Sequence, residues 1–174
     1  VGGAKFAVNE IRRGRAWSTL KKFALGAAHD ISWAQLLAES AEQVPDKKCL
    51  LYNAEVYTYR QMDDNANRVA NFFLHRKSAK GKGVGILMRN SPRFLDIFFG
   101  AQKIGMYLVP INPELKGEGL SYIINHSDIE SLALDAELIP SFQTAAGEAK
   151  NLRRIFIDDV DAEAEKKTKG IPLA

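Results

Sequence analysis

Four groups of residues in this 174-residue chain have types that could do chemistry. Gly81-Lys82-Gly83-Val84-Gly85 has the glycine and lysine content of a phosphate loop. Such a loop follows a strand and opens a helix, so that the helix N-terminal amides face the phosphate. Here the order is inverted, because the motif runs into the apolar stretch Val84 to Met88, and we read it as a solvated turn. Met88-Arg89-Asn90-Ser91-Pro92 has the correct strand-to-helix order, with an arginine beside it that could hold an anion. It lacks the glycines that let backbone approach a pyrophosphate, and Ser91 and Pro92 are accounted for as a helix cap and first helical residue. Asp63-Asp64 sits within a helical pattern, where neighbours diverge by about 100° and do not converge on one bond, so it reads as a solvated face. His126-Ser127-Asp128 has the residue types of a hydrolase triad, but contiguous in sequence, whereas triad members are brought together by the fold. His126 reads as helix C-terminal punctuation that favours the dipole.

No catalytic centre and no metal site is expected from these residues. Cys49 is the single cysteine and has no internal partner, and His29, His75 and His126 are scattered without ligand spacing. Charged residues interrupt every apolar run short of the roughly 20 residues that span a bilayer. Residues 1–28 carry Lys5, Arg12, Arg13, Arg15, Lys21 and Lys22 against Glu10, a net +5 in a chain of net +3, leaving −2 for the rest. The basic character belongs to the arm, so a nucleic-acid partner, which needs bases over the folded body, is not expected. In the arm, Trp17, Leu20, Phe23 and Ala24 recur at helical spacing, with Arg15 and Lys22 on the other side. This pattern suits the surface of an anionic membrane, with Arg15, Trp17, Leu20, Lys22 and Phe23 as contacts, or equally a stripe packed on the protein's own body. A cytoplasmic protein, peripheral to a membrane if the arm binds one, is the expectation; an acid-poor, Arg-bearing start also fits a transit segment. The chain starts at Val1 rather than Met, which we read as a processed or shortened chain.

The elements that must position these residues alternate in the manner of a βαβ chain. Ser32-Trp33-Ala34-Gln35 fits a capping box for a helix that Pro45 stops. Strands at Cys49 to Tyr52 and Val56 to Tyr57 form a hairpin around Asn53-Ala54-Glu55. Thr58 and Gln61 make a second capping box for a helix to about Arg76, striped by Met62, Ala66, Val69, Ala70, Phe73 and Leu74. Strands then fall at Val84 to Met88, Tyr107 to Val109, Ser131 to Leu134 and Arg153 to Ile157. Helices fall from Ser91 to Gly105, around Gly119 to His126 and around Leu138 to Ala149. The expected fold is α/β, a mostly parallel sheet covered by helices on both faces. Its parts are a basic amphipathic arm over 1–30, an α/β subdomain over 31–158 and a charged linker over 159–174.

The ordered motifs in residues 45–127 resemble the adenylate-forming superfamily, the acyl-CoA synthetases and their relatives. They are Pro45-Asp46-Lys47, Thr58-Tyr59-Arg60-Gln61-Met62, Asn67-Arg68 with Ala70, and Met88 to Pro92. Lys103-Ile104-Gly105-Met106-Tyr107-Leu108-Val109-Pro110-Ile111-Asn112-Pro113 and Leu115 to Ser127, with Leu120, Tyr122 and Ile123, complete the set. The Pro-Ile-Asn-Pro turn and basic arm are most similar to long-chain and very-long-chain fatty acyl-CoA ligases of the fatty-acid-transport type. Gly83 stands where relatives often carry Asp.

The resemblance implies a parent enzyme, an acid-thiol ligase that uses ATP, Mg²⁺ and CoA to convert a fatty acid to acyl-adenylate and then to thioester. It also implies that a Thr/Ser-Gly-rich ATP loop ending in Pro-Lys-Gly, an acidic magnesium motif, an adenine-binding aromatic segment, a ribose-gripping Asp and a C-terminal-domain lysine lie further along; none occurs in this sequence. The chain thus resembles the first part of the large N-terminal domain, inactive alone and binding none of these cofactors tightly. A ligase for another acid (aryl, short-chain or carnitine-like) and a non-catalytic α/β binding or scaffold domain remain alternatives. Self-association through an apolar face left uncovered is a further expectation.

Overall fold

The computed structural model describes residues 32–77 and 80–158. The arm residues Arg15, Trp17, Leu20, Lys22 and Phe23, and the proposed linker 159–174, lie outside them. The described elements are α1 (Trp33–Gln43), β1 (Lys48–Tyr52), β2 (Glu55–Thr58), α2 (Tyr59–His75), β3 (Gly83–Leu87), α3 (Pro92–Lys103), β4 (Tyr107–Pro110), α4 (Gly117–His126), β5 (Ile129–Asp135), α5 (Ile139–Ala146) and β6 (Arg154–Asp158). Among the described residues each expected helix and strand is present, while the helix expected in the arm lies outside them.

β3 to β6 form a parallel sheet in the order β4-β3-β5-β6, while β1 and β2 make a separate antiparallel hairpin. Helices cover both faces because the apolar residues of the strands serve both. Val84, Ile86, Met88 and Ala133 pack with Val69 and Phe73 of α2 and Ile97 and Ala101 of α3. Their neighbours Leu87, Leu132 and Leu134 pack with Leu120 and Ile124 of α4 and Ile139 and Phe142 of α5. Side chains alternate across a strand, so a run that is apolar throughout must be buried on both sides. Each fully buried Leu, Ile or Phe here contributes about 1.5–3 kcal/mol against its exposed state. A third cluster, Leu37, Met62 and Ala66 with Leu50 and Tyr57, anchors the hairpin on α1 and α2.

Local chemistry sets the boundaries. Thr58 and Gln61 form the reciprocal capping box, and the Ser91 hydroxyl accepts from the Phe94 amide at 3.1 Å with Pro92 at the first helical position. Gly105, at φ +73°, turns the chain from α3 into β4. The hairpin turn is tighter than expected: Tyr52 pairs with Glu55, leaving only Asn53 and Ala54 in the loop, with Asn53 in the left-handed region at φ +52°. The last helix also differs, ending at Ala146 and preceded by a short 3-10 turn over Ala136–Leu138. Pro140 in its first turn and Gly147 just past its end explain the shift.

Candidate functional site

The carboxyl ends of β3 and β5 open into a cleft of about 810 Å³ bordered by the hairpin. The chain leaves β3 for one edge of the sheet, through α3 to β4, and then crosses back to β5 on the other side of β3. This reversal of direction is where open α/β sheets form a crevice. Met88 to Pro92 supplies one wall, Asp135 to Glu137 the second, and Tyr52, Glu55 and Tyr57 the third.

Arg89 organises the mouth of the cleft. Its amide donates to Asp135 Oδ2 at 2.7 Å, its Nε donates to Glu137, and an Nη lies 3.5 Å from Glu114. One side chain thereby ties together the loops that follow β3, β4 and β5. The Glu137 bond, with the same residue's charge, pushes the guanidinium above its ordinary range. At 57% side-chain exposure these ion pairs fix orientation more than they stabilise. Across the cleft the Tyr57 hydroxyl donates to Glu55, which raises the tyrosine, and the nearby charge of Asp96 acts in the same direction. Asp96 itself is buried, at 6% exposure, on the first turns of α3.

This lining does not fit ATP. Glu55, Asp96, Asp135 and Glu137 outnumber Arg89 and Arg93, so the cleft repels a polyanion. The β3–α3 junction has no glycine, and one of its first amides is already satisfied by Ser91. Among the described residues no group of three or more His, Cys, Asp or Glu is placed to hold a metal ion.

The other candidate groups fall elsewhere. Gly81 to Gly85 lies at the amino end of the sheet, opposite the cleft, and neighbouring side chains pack closely over its last two glycines. A Cβ on Gly83 would run into the Tyr107 ring, and one on Gly85 would stand 2.5 Å from Ile129 Cδ1. Lys82 is engaged by Glu130 at 2.5 Å. His126 closes α4 and stacks on Tyr122, Ser127 donates to the Ile123 carbonyl at 2.6 Å, and Asp128 accepts from Asn151 at 3.2 Å. The three side chains do not form a relay. Cys49 is an exposed free thiol on β1.

Asp63 corrects the expectation of a solvated face. Its carboxylate is 17% exposed, 2.7 Å from Lys103 Nζ of α3, and accepts from Asn67 at 3.0 Å; Asp64 alone faces solvent. Adjacent helical residues point in different directions, and α3 happens to cover only the first. The reading of the sequence also missed Asp135, Glu137, Asp96 and Tyr57 as cleft residues. Asp135 carried a signal, an acid ending the apolar run Leu132-Ala133-Leu134, where parallel strands deliver their site residues. Tyr57 carried none, since the hairpin's place over the sheet is a tertiary fact.

A family model described as AMP-binding enzyme matches residues 37–172. The chain is 30% identical over 132 residues to 4-hydroxybutyrate–CoA ligase 2 of Metallosphaera sedula, covering 76% of the chain and 24% of that protein. It is 34% identical over 110 residues to crotonobetaine/carnitine–CoA ligase of Escherichia fergusonii, covering 63% and 21%. With mouse long-chain fatty acid transport protein 6 it shares 32% identity over 100 residues, covering 57% and 16%. Among solved structures, a Mycobacterium tuberculosis fatty acyl CoA synthetase superposes with a TM-score of 0.67 at 26% identity, over 80% of this chain and 30% of that one. The chain spans a quarter or less of the length of these three curated relatives.

Proposed function

We propose, for a chain that belongs to the AMP-binding enzyme family, that residues 31–158 are the opening subdomain of an ATP-dependent acyl-CoA ligase and act by scaffolding the active site. The observation that carries this is the extent of the family match, residues 37–172, over the described α/β body from α1 onward. The cleft's negative lining supports a scaffolding role, since carboxylate activation needs cations around the transferring phosphorus. Residues beyond this segment would supply the sites for ATP, Mg²⁺ and CoA.

For the acid we favour a long-chain fatty acid, on the Pro110-Ile111-Asn112-Pro113 turn and the likeness to the mouse transport protein. The 4-hydroxybutyrate and carnitine ligases among the relatives favour a short or carnitine-like acid as the second reading. A pyrophosphate-release assay with ATP, Mg²⁺ and a panel of acids tests both, run on the 174-residue chain and on the product of any longer reading frame. The expected result is no turnover by the 174-residue chain and turnover by the longer product. Turnover by the short chain overturns the scaffolding role, and preference for 4-hydroxybutyrate or carnitine over long-chain acids overturns the fatty-acid reading. The basic arm over 1–30 is proposed as a contact with anionic membrane, in which case deleting residues 1–28 abolishes co-sedimentation with anionic liposomes. Equal sedimentation of the full and shortened chains leaves the arm as a packing or targeting element.

A further inference from the structure

The loops that follow β3, β4 and β5 leave the carboxyl end of the sheet where the ladder of β3 stops. β3 is last paired at Leu87 with Leu134 and at Ile86 with Pro110, and the Ile111 amide adds one bond to the Ile86 carbonyl at 2.9 Å. Beyond that point Arg89 joins the loops. Its amide donates to Asp135 at 2.7 Å, and its guanidinium pairs with Glu137 after β5 and, at 3.5 Å, with Glu114 after β4. One planar fork thus spans carboxylates of two loops, which the point charge of a lysine does not reproduce.

An exposed ion pair usually contributes little, because two long side chains must be held still to make it. Here the backbone on each side is already anchored. Met88, beside Arg89, is buried in the α2–α3 core, while Leu115 and Leu138, beside Glu114 and Glu137, pack in the α4–α5 core. Asn112 fixes the turn that presents Glu114, accepting from the Glu114 amide on its side chain at 2.9 Å and from the Leu115 amide on its carbonyl at 3.1 Å. Glu137 is presented by the 3-10 turn Ala136–Leu138. Without the guanidinium, Glu114, Asp135 and Glu137 would be three like charges near one mouth, which favours spreading of the loops.

We infer that Arg89 is a positioning residue, a clamp that keeps the loops after β3, β4 and β5 at one spacing so that the cleft walls stay in place for the reaction of the longer enzyme; the catalytic part rests on the ligase reading proposed above. Arg89 itself touches no reacting atom in this role. It acts through the loop from Met88 to Pro92 and the segment from Asp135 to Glu137, which form two walls of the cleft. Global unfolding is governed by the buried clusters, so the clamp shows itself in local opening of the loops and in turnover rather than in the melting midpoint.

Arg89→Ala and Arg89→Lys test this in two measurements. In the 174-residue chain, amide hydrogen exchange followed by NMR is expected to quicken about fivefold at Glu114, Leu115 and Ile139 in Arg89→Ala, to stay at the unsubstituted rate at Val84 and Leu132 within the sheet, and to fall between the two in Arg89→Lys. In the product of a longer reading frame, kcat with the accepted acid is expected to fall about fivefold in Arg89→Ala while the KM for ATP is unchanged, and Arg89→Lys is expected to recover part of the loss. The deficit should shrink as salt rises, because screening weakens the clamp of the unsubstituted enzyme and relieves the carboxylate repulsion of the variant; a mere loss of folded protein has no such dependence. Unchanged exchange at the three loop amides, or full turnover by Arg89→Ala at low salt, would overturn the inference. No turnover by the unsubstituted longer product on any acid overturns the ligase reading and the catalytic part with it, and the exchange rates then decide the clamp alone.

Discussion

The two ends of the sheet share β3 but are held by different forces. At the amino end the chain is closed by contact. The Tyr107 ring covers Gly83, its hydroxyl donates to the carbonyls of Ser127 and Asp128 at 3.0 and 2.7 Å, and Lys82 pairs with Glu130. At the carboxyl end the connections are a helix cap and exposed ion pairs around Arg89, with an open cleft between them. An added Cβ at Gly83 must displace the Tyr107 ring together with its hydroxyl's bond, whereas solvated charge can be rearranged at little cost. The same fold is therefore closely packed where it resembles a phosphate loop and open where strand ends converge.

The largest effect that tests this contrast is at the amino end. Gly83→Val would drive the Tyr107 ring from its place and cost the hydroxyl's donation shared by the Ser127 and Asp128 carbonyls, so thermal or urea unfolding should show a loss of about 2 kcal/mol. A loss under half a kcal/mol would show that this end is no tighter than the other. At the carboxyl end Ser91→Ala removes a capping acceptor from the Phe94 amide and should lower stability by about 1 kcal/mol, with Ser91→Asp restoring it.

Acid titration probes a smaller term. Lys82 holds the Glu130 carboxyl below its ordinary 4.5. A lowered folded-state value means the bond contributes above the unfolded-state pKa and is lost as pH falls through the folded one. Between neutral pH and the region below 4.5 the parent should therefore lose about 0.3–0.5 kcal/mol more than Lys82→Met does. Identical acid profiles would remove the pair from the account. The smallest effect belongs to Arg89→Ala, which removes the side-chain pairs with Glu114 and Glu137 but keeps the amide bond to Asp135, and is expected to leave the thermal midpoint nearly unchanged because both pairs are exposed. A drop in midpoint as large as that of Gly83→Val would erase the comparison.

Much of this molecule is legible in its sequence. The capping residues Thr58, Gln61 and Ser91, the proline at 92 and the turn at Gly105 fix helix boundaries through bonds that span a few residues. The apolar runs at β3 and β5 announce burial on both faces before any partner strand is known. Such features are local, so composition and spacing determine them. Strand order is another matter, and so is everything that follows from it. That Asp135 and Glu137 meet Arg89, that Asp63 finds Lys103 while Asp64 finds water, and that Tyr107 lies across Gly83 are contacts between segments 20 to 50 residues apart. Each depends on which crossover brings which strand alongside β3, a choice made by the burial of the whole sheet at once. The sequence by itself determined the elements and the family; only the tertiary structure decided which charged residues share a cleft and which glycines are spent on packing, because those outcomes depend on distances that no local rule contains.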